Sequence, residues 1–159
     1  MRSPLPVLAA TAAALALAVA STVPADAAPA RYVIVKNSEG KCLDSDKRGD
    51  VYMHKCIKGN TYQLWQWAPL GEGYVILYDV ETRRCLDTKN RDERLGDIFT
   101  TSCESQKHTR SEHWRPVTRK GETLFWNRKT HRCLENGWRQ THVYTMWNCH
   151  QPWKVVNAK

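Results

Sequence analysis

Six cysteines and three repeated carboxylates are the residues of this chain whose types and spacing could do chemistry. The cysteines are Cys42, Cys56, Cys85, Cys103, Cys133 and Cys149. A zinc site would need closely spaced thiolates or a paired-histidine helix, and the sequence has neither C-x-x-C nor H-E-x-x-H. A redox-active dithiol lacks support for the same reason. An even number of cysteines in an exported chain reads as disulfides, with fifteen pairings open in principle for six. The carboxylates are Asp44, Asp87 and Glu135, each directly after a Cys-Leu pair. Paired carboxylates can hydrolyse glycosides, but the separation that matters is spatial. No nucleophile elbow, phosphate-binding loop or metal-ligand cluster accompanies them. The expectation is a binding protein, not an enzyme, with no cofactor and no metal.

The elements that must position these residues repeat three times. Lys41-Cys42-Leu43-Asp44, Arg84-Cys85-Leu86-Asp87 and Arg132-Cys133-Leu134-Glu135 are each base, Cys, Leu, acid. They recur at intervals of about 45 residues, within the range of internal structural repeats. An apolar run precedes each one, at Tyr32–Val35, Tyr74–Tyr78 and Leu124–Trp126. A second run follows and ends in a cysteine, at Val51–Cys56, Ile98–Cys103 and Val143–Cys149. Trp65, Trp114 and Trp153 then open a last strand. These runs are short, β-branched and aromatic, with polar clusters between them. No stretch keeps a 3.6-residue apolar period, so helix content should be low. Each unit has about four strands and cannot bury its apolar side alone, whereas three units closing on one another can. Three propeller blades would not close the usual ring. The expected fold is all-β, a β-trefoil of three repeats at approximately 31–72, 73–120 and 121–159. The simplest pairing then lies within each unit: Cys42–Cys56, Cys85–Cys103 and Cys133–Cys149. Loops of this size give on the order of 3 kcal/mol per disulfide.

The first 27 residues read as an address. Arg2 is followed by an apolar, alanine-rich run from Leu5 to Ala20, then by the small-x-small site Ala25-Asp26-Ala27. The expectation is a signal peptide over 1–27 and a secreted mature domain over 28–159, with no membrane span after cleavage. The alanine-rich style fits a bacterium of high genomic GC content. The formal net charge is +8, and basic residues concentrate between Lys107 and Arg132. Such a chain favours anionic surfaces, cell-wall polymers or acidic proteins. Export makes nucleic acid a poor candidate partner. The 7 Trp and 6 Tyr far outnumber the 2 Phe, so much of the apolar area carries a polar handle.

The repeat resembles the ricin-type β-trefoil family, whose unit pattern is Cys-Leu-Asp, a second cysteine, then Gln-x-Trp. Gln63-Leu64-Trp65 fits fully, Gln151-Pro152-Trp153 fits by residue type, and Glu112-His113-Trp114 keeps the tryptophan. The resemblance covers nearly the whole mature chain, as a small secreted member of actinobacterial style. It implies a shallow sugar site in each unit. An acid grips hydroxyls, an aromatic two residues before the second cysteine stacks on the sugar, and an amide stands before the Gln-x-Trp glutamine. Carried over, the first unit offers Asp44, His54 and Gln63, with Tyr62 at the amide position. The second has Asp87 but Thr101 and Ser111 in the other places, and looks dead. The third has Glu135 and Trp147, with Trp138 as a compensating aromatic, but only His150 lies between Cys149 and Gln151. The competing reading makes the three acids turn caps and the three tryptophans core.

Two functions follow from the resemblance. One is a lectin-like module with partly degenerate sites for galactose-type or cell-wall glycans. The other is an adaptor subunit of a secreted complex, similar to the lectin-like adaptor of an actinobacterial toxin particle, with Tyr52, Tyr62 and Trp138 as anchors for a protein partner.

Overall fold

The computed structural model describes residues 29–90, 92–103, 110–137 and 141–158. Twelve strands and two short 3-10 turns make up the described regular structure. The first unit holds β1 (Arg31–Lys36), β2 (Cys42–Ser45), β3 (Val51–His54) and β4 (Trp65–Gly71). The second holds β5 (Tyr74–Asp79), β6 (Arg84–Asn90), β7 (Leu95–Ser102) and β8 (Trp114–Arg119). The third holds β9 (Glu122–Asn127), β10 (Cys133–Asn136), β11 (Val143–Met146) and β12 (Lys154–Asn157).

The outer strands of the units close a barrel. Antiparallel pairs run β1–β4, β4–β5, β5–β8 and β8–β9. The Thr123–Trp153 bridge joins β9 to the start of β12, and β12 returns to β1. Closure leaves no unpaired barrel edge. The inner strands form three hairpins, β2–β3, β6–β7 and β10–β11, over one end. β7 and β11 pair, and bridges Asp50–Phe99 and Tyr52–His142 tie the hairpins together. This is the β-trefoil that the repeat requires.

Period-2 alternation sends one face of each strand inward. The core collects Val33, Val35, Leu43, Trp65, Leu77, Leu86, Trp114, Phe125, Leu134 and Trp153, all fully buried. One interaction repeats three times. The indole Nε1 of Trp65, Trp114 and Trp153 donates to the carbonyls of Leu43, Leu86 and Leu134, each at 3.0 Å. The tryptophan therefore fills the centre of its unit and also satisfies the backbone of the Cys-Leu-acid step. A second repeat lies at the hairpin turns, where Asn37, Asp79 and Asn127 accept hydrogen bonds from the turn backbone. Disulfides Cys42–Cys56, Cys85–Cys103 and Cys133–Cys149 form within the units, with Cα separations of 5.0, 5.3 and 5.2 Å.

The first and second units meet tightly at Gly49. Its φ is +100°, and a Cβ there would lie 2.7 Å from the Thr100 carbonyl oxygen and 2.8 Å from Arg84 Nη2. The Gly49 carbonyl itself accepts from Thr100 N at 2.8 Å. Gly49→Ala should cost about 1–3 kcal/mol through backbone strain and overpacking. Urea unfolding measures it as a lower midpoint at unchanged slope.

Candidate binding site

The first repeat builds a depression of ≈ 410 Å³ at the open side of the β2–β3 hairpin. In the ladder, Asp44 stands opposite Tyr52 and Cys42 opposite His54, so Asp44, Tyr52 and His54 share the face away from Leu43 and Met53. The Asp44 side chain is 4% exposed and the His54 side chain 54%. Gln63 explains how a buried carboxylate is held there. Its Nε2 donates to Asp44 Oδ2 at 2.8 Å and to the Lys55 carbonyl at 2.9 Å, while its Oε1 accepts from Ile57 N at 2.8 Å. The amide thus clamps the acid to the loop that follows β3. His54 Nδ1 lies 3.8 Å from the same Oδ2. Burial pushes the Asp44 carboxyl above its ordinary value, against the pull of the Gln63 amide and of His54.

The loop rim adds residues that sequence reasoning missed. Asn60 lines the depression and caps the short turn Thr61–Gln63, its side chain accepting from Tyr62 N at 3.1 Å. The side-chain amide on this rim thus belongs to Asn60, two residues before Tyr62. Its sequence signal is the Gly59-Asn60 pair, a turn and cap dipeptide. Tyr62 lines the same depression, as do Lys47 and Arg48. Asp46 fixes the β2–β3 loop by accepting from the backbone of Arg48, Gly49 and Asp50. Arg48 is neutralised locally by Asp46 and Asp50, at 3.1 and 3.0 Å.

The other repeats differ in their local bonding. Asp87 is buried, which pushes its carboxyl up against the Ser111 hydroxyl and the Thr88 N–H. Thr101 occupies the ladder position of His54, opposite Cys85. In the third repeat, Glu135 Oε1 accepts from His150 N at 2.8 Å and Gln151 N at 3.2 Å. Burial pushes its carboxyl up against those two donors. The short His150 connection brings backbone, not a ligand amide, onto this acid, and Gln151 Nε2 turns instead to the Pro152 carbonyl at 3.1 Å. The residue opposite Cys133 is Met146, so Met146 takes the His54 position and Trp147 falls one step beyond. Trp147 is 55% exposed; its Nε1 donates to the Glu93 carbonyl at 2.7 Å and Arg132 stacks on its ring at 4.9 Å. Trp138 lies outside the described residues. Of the expected site residues, the structure gathers Asp44, His54, Tyr62 and Gln63 in one place, and it separates the bonding of Glu135 from that of Trp147.

Among the described residues, no cluster of His, Cys, Asp or Glu could hold a metal ion, and no helix is long and apolar enough to cross a membrane. No protein of curated function matches the sequence. Solved structures with the same fold include a designed three-fold symmetric protein, ThreeFoil (18% identity, TM-score 0.68, covering 80% of this chain and 99% of that one). SeviL, solved with asialo-GM1 saccharide, is 13% identical, with TM-score 0.63 and coverage of 82% and 100%. The cytolethal distending toxin of Haemophilus ducreyi is 12% identical, with TM-score 0.63 and coverage of 79% and 83%. At such identities these likenesses speak for the fold alone. The sequence carries a more specific match, to the cytolethal distending toxin A/C domain over residues 17–123. That span is more than half of the chain, and the protein belongs to the cytolethal distending toxin A/C domain family.

Proposed function

We propose that this protein is a secreted, non-catalytic module that binds a carbohydrate in the depression of its first repeat. The observation that carries the reading is the Asp44–Gln63 clamp. A carboxylate fixed at 2.8 Å by an amide, beside an exposed histidine ring, is built to accept hydroxyl hydrogen bonds without rearranging. Asn60 adds an amide, while Tyr52, His54 and Tyr62 add ring surface for the apolar face of a pyranose. The ligand class is a galactose-type or cell-wall glycan. Export rests on the leader over residues 1–27, and is in keeping with a family named for a toxin.

Asp44→Asn should lower glycan affinity about tenfold or more, the worth of a charge-assisted hydrogen bond. A glycan array followed by calorimetry on the leading hit measures it. Binding that survives the substitution intact, or no binding across the array, would overturn the reading.

A second reading is an adaptor that holds a protein partner within a secreted complex. The third repeat favours it. Its acid is taken up by backbone donors, while Trp147 stands exposed on a neighbouring loop as an aromatic anchor. Affinity purification from culture medium that returns the protein alone, as a monomer, would count against it.

A further inference from the structure

The outer face of the β8–β9 hairpin carries a cleft unlike the depression at Asp44. Arg115, Val117 and Arg119 alternate outward along β8. In register beside them, Trp126 stands opposite Arg115 and Leu124 opposite Val117. The cleft measures ≈ 360 Å³, and the Cys133–Cys149 disulfide lines its far side. Val117 is 37% exposed, so the apolar strip is open to solvent. Trp126 is steadied by His131, with ring centroids 5.0 Å apart.

The scaffold makes this cleft and the sequence specialises it. One repeat earlier, a cleft of ≈ 370 Å³ lies beside Cys103 and is lined by Gln66 and Tyr78. Gln66 follows Trp65 as Arg115 follows Trp114, and Tyr78 stands opposite Cys85 as Trp126 stands opposite Cys133. The same positions therefore hold an amide and a phenol in one cleft, and a guanidinium and an indole in the other.

Charge selects the occupant. The Arg115 guanidinium is held against the Tyr74 ring at 5.2 Å and donates to the Glu72 carbonyl at 3.4 Å, so it is positioned without being neutralised. Glu72 instead pairs with Arg128 at 3.0 Å. Glu122, the one acid of the hairpin, stands opposite Arg119 in the ladder, but the two form no close ion pair, and Arg119 makes none with any other described residue. The Cα atoms of two residues four apart on a strand are separated by about 13 Å. Between them run an apolar strip and an indole.

We propose that this cleft binds a carboxylated saccharide, with Trp126 stacking on a sugar ring and Arg119 taking the carboxylate. Guanidinium forks match carboxylates in a way that a neutral sugar cannot use. The site is independent of Asp44.

The test titrates 3′-sialyllactose and lactose against the mature chain at physiological salt. Sialyllactose should bind at least tenfold more tightly. Arg119→Gln and Trp126→Ala should each remove that excess, and Asp44→Ala should leave it. Arg119 is exposed, so its variant reports even if Trp126→Ala folds poorly. Equal binding of the two sugars would overturn the proposal, as would an excess that disappears with Asp44→Ala. An oligoglutamate peptide that binds as tightly, with binding unaffected by Trp126→Ala, would assign the cleft to acidic peptides and overturn it too.

Discussion

Trp114→Ala should cost the domain about 4–8 kcal/mol. Two terms add. Removing a fully buried tryptophan leaves a cavity worth about 3–5 kcal/mol. It also strands the Leu86 carbonyl, whose partner is the indole N–H at 3.0 Å. The ladder offers no substitute, because Thr100 N, opposite Leu86, donates to Gly49 O instead. An unpaired buried carbonyl costs about 1–3 kcal/mol. Against a total stability of about 5–15 kcal/mol, this change alone can unfold the domain. Trp114→Phe separates the terms, since it keeps a ring and removes the donor. Chemical unfolding followed by circular dichroism checks both. A loss below about 2 kcal/mol for the alanine variant would mean that the three indoles do not organise their units.

Stability should rise, not fall, as pH drops from 7 towards about 4. Asp44, Asp79, Asp87 and Glu135 are all buried, and burial raises each carboxyl above its ordinary value. In that interval the folded state holds more protons than the unfolded one, so stability is lost as pH rises through the folded values. It is fully present below the unfolded value near 4, where both states are protonated. Asp79 is the clearest case. It is 0% exposed, its Oδ1 serves Thr82 N and the Thr82 hydroxyl, and the Ser45 hydroxyl also lies against its carboxyl, yet burial outweighs all three. The other two repeats carry Asn37 and Asn127 in its place. Asn127 Nδ2 donates to the Ser111 carbonyl at 2.7 Å, a bond that a carboxylate cannot make. Asp79→Asn should therefore stabilise the domain at pH 7 by about 1–3 kcal/mol, because it removes a buried charge and keeps an oxygen for the Thr82 donors. It should also flatten the rise in melting temperature between pH 7 and 4.5. Comparing the variant with the parent cancels the titration of the groups that are not coupled to Asp79, Asp44 being the coupled one. A variant less stable than its parent at pH 7 would contradict this account.

The trefoil was legible because its determinants are local and recur. Cys-Leu-acid and the following tryptophan appear three times, and each copy makes the same Trp-to-Leu hydrogen bond in space. The intra-unit disulfides follow from the same recurrence. Individual contacts were less legible. Counting back from Cys149 puts Trp147 where the ladder puts Met146, because register is set by the pairing with Cys133 and not by the number of residues before the next cysteine. The place of Asn60 is not encoded in the strand pattern, because it depends on how the loop between Cys56 and Gln63 folds over Asp44. The bonding of Glu135 depends on a connection short enough to aim backbone N–H groups at it. Strand pattern cannot encode loop paths of this kind.

The barrel is sealed where β1 meets β12, and that seam has a mechanical meaning. Val33 lies beside Asn157 and Lys36 beside Lys154, so the first and last strands enter and leave at the same edge. A pull on the two ends opens this antiparallel pair one bond at a time instead of loading all of its bonds together. Each disulfide ties strands within its own unit, and none crosses the seam. Tension between the two ends would part the first unit from the third while leaving each covalent loop closed. The molecule is thus covalently reinforced within its repeats and unzippable between them.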